Sequence, residues 1–137
     1  MQITKRPGGT IEMSMTETEL EGIAQSFNEV CNGFTVHDFE KAIGADENTV
    51  MHLLNQFRPR HRSELSPLAI PVHLTVAISG ENKFTVEMAP NEGRIIINCL
   101  NETLREIRPS EYQTRMGIGF GVEKATQIIS GIEAALK

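Results

Sequence analysis

The chain has 137 residues, 13 basic against 18 acidic side chains, and a net charge of −5. Hydrophobic residues at 39% and charged ones at 23% are ordinary for a globular protein, and the length fits one compact domain with a real core. With no Trp and one Tyr the chain is poor in the aromatics on which a single-strand nucleic-acid binder stacks bases. No apolar run approaches the roughly 18 residues of a membrane helix.

The first nine residues lack the apolar stretch of a secretory signal. Cys31 and Cys99 stand in no metal-like spacing and read as two buried free thiols. A cytoplasmic location is the expectation, because disulfides need an oxidising compartment of which there is no other sign.

In chain order, Gly8-Gly9 closes a loose N-terminus. Ile11, Met13 and Met15 alternate with polar residues, the period of a half-buried strand. Thr16 or Thr18 offers an N-cap, with acids in the first turn that suit the helix dipole. Leu20, Ile23, Ala24, Phe27 and Cys31 then recur at helical spacing until Asn32-Gly33. A short helix within 34–43, opened by Thr35 or His37, is broken by Gly44. Asp46 caps a third helix with a stripe of Val50, Leu53, Leu54 and Phe57, stopped by Pro59. Residues 60–67 form a polar connector.

Residues 70–79 alternate as a strand, turn at Gly80-Glu81-Asn82, and return through 83–88, an antiparallel hairpin. Pro90-Asn91 opens a long helix, although Ile95-Ile96-Ile97 favours strand by propensity. Pro109-Ser110 starts a short helix, 117–121 form a glycine loop, and 122–136 form the last helix.

The long helix is preferred because the sequence repeats. Phe27-Asn28-Glu29-Val30 returns as Leu100-Asn101-Glu102-Thr103, 73 positions on, and Phe39, Ile43 and Gly44 return as Tyr112, Met116 and Gly117 at the same offset. Thr10-Ile11-Glu12-Met13 matches Thr85-Val86-Glu87-Met88 at 75, as Leu53-Leu54 matches Ile128-Ile129. Loops absorb such two-residue changes. The expected fold is therefore α+β: one domain over 1–137 made of two pseudo-repeated strand-helix-helix-helix units that share a small antiparallel sheet, with the helices packed on one face. Unit one covers about 10–57, a connector and extra strand 58–82, and unit two 83–137.

No catalytic pattern stands out. His37, His52, His61 and His73 show no ligand spacing, so no metal or cofactor is expected. Gly117-x-Gly119-x-Gly121 before a helix could cradle a phosphate, but no strand leads into it and no Lys-Ser/Thr pair follows. Asn28-Glu29 and Asn101-Glu102 have two readings. The asparagines could satisfy backbone groups at a helix end, or the two glutamates could face each other across a shared groove and do acid–base chemistry. Residues 39–53 resemble a helix-turn-helix with Gly44 at the turn, yet the second helix begins with two acids and has neither Lys nor Arg before Arg58.

Charge is unevenly spread. Between Glu12 and Glu47 stand nine acids and one base, Lys41, which leaves +3 for the remainder; Arg58, Arg60, His61 and Arg62 then form a short basic cluster. An acidic window is a docking surface for a basic partner when it is not merely solvated.

The arrangement Phe27-Asn28-Glu29-Val30-Cys31-Asn32-Gly33, then Asp38-Phe39, then Ile43-Gly44-Ala45 and a Val/Leu-striped helix resembles small bacterial immunity proteins of polymorphic and contact-dependent toxin systems. The resemblance implies a non-catalytic cytoplasmic inhibitor of one toxin domain. Since nucleases are basic, the expected function is neutralisation of a basic toxin domain of that kind. The acids expected to carry the contact are Glu17, Glu19, Glu21, Asp38, Glu40, Asp46 and Glu47. The alternative is a nucleic-acid-binding regulator that uses the helix after Gly44 and the 58–62 cluster.

Overall fold

A computed structural model describes residues 1–58, 68 and 71–137. Pro59, Arg60, His61, Arg62, the 60–67 connector and Ile70 lie outside the described residues. The architecture is α+β. Strands β1 (Gln2–Lys5), β2 (Ile11–Met15), β3 (Thr75–Gly80) and β4 (Lys83–Met88) form one antiparallel sheet in the order β1-β2-β4-β3.

The N-terminus is thus a strand and not a loose end. Its single apolar residue, Ile3, is too little for a period-2 signal, and the strand is held by its pairing to β2. The turn closes through Gly9 N to Arg6 O at 3.0 Å and Arg6 N to Thr10 O at 2.7 Å. Gly8 and Gly9 both sit at positive φ there. The strand expected over 70–79 begins at Thr75.

The helices are α1 (Glu17–Asn28), α2 (Phe39–Ile43), α3 (Glu47–Phe57), α4 (Pro90–Glu106), α5 (Tyr112–Met116) and α6 (Val122–Leu136). A π-helical turn over Glu29–Gly33 extends α1, and a 3₁₀ turn over Pro109–Glu111 precedes α5. Helix α2 opens at Asp38, in the left-handed region at φ 50°, and not at Thr35 or His37. Ile95, Ile96 and Ile97 are all buried within α4. Packing on several sides outweighs their strand propensity.

Ile11, Met13, Met15, Val86 and Met88 turn into the core beneath the helices, while Glu12 and Glu87 pair directly across the other face. Helices α1 and α4 pack together over the sheet. Helix α6 lies against β1 and α3 against β3, so the third helix of each half packs on the outer strand of the other.

The order hairpin, long helix, short helix, helix occurs twice. Met15 precedes cap residue Thr16 and Met88 precedes cap residue Ala89, an offset of 88 − 15 = 73. The same offset relates the pair Ile3↔Met13 to the pair Val76↔Val86, and α2 to α5. The 75-residue match of strand sequences is therefore corrected: Met13 corresponds to Val86, because pairing and caps fix the register and a four-residue likeness does not. The 75 offset does hold for α3 and α6, whose caps are Asp46 and Gly121. The two extra residues fall in the loop before the third helix. The strand of the connector is no extra element but the counterpart of β1.

Candidate functional site

The acidic window does not form one patch. Glu19 faces inward at 3% exposure. It completes a capping box, its Oε1 accepting from Thr16 N at 2.9 Å, while Lys124 Nζ donates to Oε2 at 3.0 Å. Burial alone would push this carboxyl up, but the Thr16 amide and the Lys124 ammonium together hold it below its ordinary value of 4.5. Glu19 is therefore not available to a partner. The capping-box spacing Thr16-x-x-Glu19 is what turns it inward.

Three more of the nine acids meet cations from elsewhere: Glu12 with Arg6, Glu21 with Arg58 at 3.2 Å, and buried Glu29 with Arg115. Glu17, Asp38, Glu40, Asp46 and Glu47 remain exposed. They divide. Glu17 stands at the start of α1 beside Asn82 and Ile118. The other four surround α2 and the start of α3, where Cys31 Sγ lies 4.0 Å from Glu47 O, just past the far end of α1. The twelve residues of α1 put about 18 Å between the groups.

The larger group is built by local rules. Asp46 Oδ1 accepts from Thr49 N at 2.8 Å and from its hydroxyl at 2.7 Å. That backbone bond holds Asp46 below its ordinary carboxyl range, so it stays charged. Gly44 ends α2 at φ 93°, its amide donating to Glu40 O, and the chain turns into α3. Asn98 Nδ2, on α4, donates to Ile43 O at 2.9 Å and fixes this corner. The helix-end role expected of Asn101 is thus performed by Asn98, while Asn101 is exposed and Asn28 Oδ1 accepts from Asn32.

Between α2, the start of α3 and the start of α4 lies a cleft of about 410 Å³. Ala45, Leu68, Val72 and Ile95 give it apolar walls, and Glu40, Asp46, Asn91 and Glu92 its polar ones. Glu92 is 3% exposed. Its carboxylate accepts from Ala89 N at 2.8 Å, His73 N at 2.7 Å and Leu74 N at 3.1 Å. No cation among the described residues pairs with it. Nothing in the sequence singled Glu92 out, since its cap position holds Ala89 where a capping box has Ser or Thr.

The remaining candidates are placed as follows. Glu29 and Glu102 are both buried, each held by an arginine: Arg115 from the other half and Arg105 from the same helix. Arg58, which nucleic-acid recognition would need, donates to Glu21 and to Gln25. In the glycine loop the Gly119 amide donates to Gln113 Oε1 at 3.0 Å and the Phe120 amide to Gly117 O at 2.9 Å. Cys31 is half-buried and Cys99 buried, both as free thiols. Burial, with nearby Glu47, pushes the Cys31 thiol up to about 12 and burial raises Cys99 well above its ordinary value, which disfavours thiolate chemistry at either.

Among the described residues no group of three or more His, Cys, Asp or Glu is arranged to hold a metal ion, and no helix is long and apolar enough to cross a membrane. No family model, curated protein or solved structure matches this chain.

Proposed function

We propose that this protein is a non-catalytic, immunity-type inhibitor that binds a basic protein domain, with a toxin nuclease as the reference case. The observation that carries the proposal is the group Asp38, Glu40, Asp46 and Glu47, exposed around one corner beside a cleft. A compact negative surface speeds association with a cationic partner and selects against acidic ones. The doubled order of elements, at an offset of 73 residues that becomes 75 at the third helix, favours descent from one duplicated unit.

The test is capture from the native host at low salt, identification of the bound protein, and assay of its activity. A basic protein released by salt and inhibited by this chain is the expected result. Reversal of Asp38, Glu40 and Glu47 to Lys should slow association, because rim charges act mainly on the on-rate. Association indifferent to both salt and reversal would end the electrostatic account. Reversal of Glu19 would instead test the fold.

A further inference from the structure

The cleft beside Glu92 has a counterpart in the other half of the molecule, where Lys124 and Phe120 take the space next to the buried carboxylate and a cleft of about 580 Å³ remains outside them, against Gln113, Gly121 and Glu123. Glu92 and Glu19 occupy the third position of α4 and of α1, 73 residues apart, and each closes onto its cap backbone. Thr49 and Lys124 occupy the third position of α3 and of α6, at the 75 offset. Ala45 and Phe120 precede the respective caps, and Ile95 and Gly22 correspond on the long helices.

In the corner around Glu19, Lys124 reaches the carboxylate at 3.0 Å, and the Phe120 ring, fully buried, lies so close to Gly22 that a Cβ there would meet it at 2.0 Å. In the corner around Glu92 the Thr49 hydroxyl turns to Asp46 at 2.7 Å, and Ala45 is far smaller than a phenylalanine ring. What remains is the cleft of about 410 Å³, with one buried carboxylate and two exposed ones, Glu40 and Asp46, around Ala45, Val72 and Ile95.

We infer that this cleft receives a lysine side chain from the partner, in the position that the molecule's own Lys124 takes in the corresponding corner. This rests on the reading of the protein as a binder of basic domains. A lysine suits the walls: its four-carbon stem lies along apolar surface while the ammonium reaches carboxylates. Glu92 is a buried carboxyl group whose hydrogen bonds all come from neutral amides. A cation completes it at modest desolvation cost, because the protein has already paid for burying the acid.

The probe is a blocked pentapeptide of glycine with one central lysine, titrated at low salt into the labelled whole chain and followed by amide shifts. Saturable shifts of Gly44, Ala45, Thr49 and Asn91 are expected. The norleucine analogue should bind weaker by about tenfold or more, the weight of a charge-assisted hydrogen bond. Thr49→Lys should supply the missing ammonium from within and abolish binding. Gln56→Lys, an exposed change of equal charge, should leave it within about twofold, as distant surface charges act weakly. The conservative pair Glu40→Gln and Asp46→Asn should weaken it while asparagine keeps the helix cap.

Equal responses of Thr49→Lys and Gln56→Lys, or shifts spread evenly over Glu17 and Asp38, would overturn the inference. Host capture separates the two proposals. A basic partner bound equally well by wild type and Thr49→Lys leaves the inhibitor reading standing and removes the lysine site. Peptide binding without any basic partner does the reverse.

Discussion

The corner around Glu19 and the corner around Glu92 are built from corresponding positions, yet the first holds a lysine of its own on the buried carboxylate and the second, among the described residues, holds none. The corner around Glu19 spends a ring and a lysine on internal contacts: Phe120 against Gly22, and Lys124 on Glu19. The corner around Glu92 caps its helix with Asp46 instead of burying a ring. The difference lies in the loop before the third helix, which runs from Gly44 to its cap at Asp46 in the first half and from Gly117 to its cap at Gly121 in the second. Corresponding positions thus make an internal ion pair in one half and line a cleft in the other.

This contrast can be broken most forcefully at the ring. Phe120→Ala should lower unfolding free energy by about 3–5 kcal/mol, the cost of emptying a fully buried aromatic site, as read by urea denaturation. An effect below that of an ordinary surface change would mean that the corner around Glu19 is not a packing site. Next in size is Lys124→Ala, which leaves Glu19 buried with only the Thr16 bonds. About 1–3 kcal/mol should be lost, below the full figure for breaking a buried pair because the lysine is partly in water.

The smallest effect is in the acid limb. The folded-state carboxyl of Glu19 lies below 4.5. Its contribution is therefore complete above pH 4.5 and lost as the pH falls through the folded value. Without Lys124, burial becomes the stronger influence and the carboxyl rises. Lys124→Ala should then lose less stability than wild type between pH 5 and about 3. Parallel acid limbs in the two proteins would show that the ammonium does not hold Glu19 ionised.

Much of the scaffold was legible in the sequence. The stripes of α1, α3 and α6 and the cap at Asp46 follow from local chemistry, and the repeat recognised α4 where Ile95-Ile96-Ile97 pointed to strand. Strand β1 was not legible, because four residues with one apolar side chain carry no pattern and owe their form to a partner strand. Glu19 was misplaced on the surface although Thr16-x-x-Glu19 fits the capping box, which would have turned it inward. The cleft was out of reach. Glu92, Thr49 and Ala45 meet only after α3 and α4 have been brought together, and an empty volume leaves no trace in a string of residues.

One more contact bears on how the molecule is made. Gly131 brings α6 so near β1 that a Cβ there would meet Ile3 Cδ1 at 2.4 Å, and Lys5 Nζ reaches the carbonyl of Lys137 at 3.3 Å. Strand β1 is thus seated by a helix more than a hundred positions later in the chain. Until 122–136 have been made, β1 has its pairing to β2 but lacks the helix that packs against it.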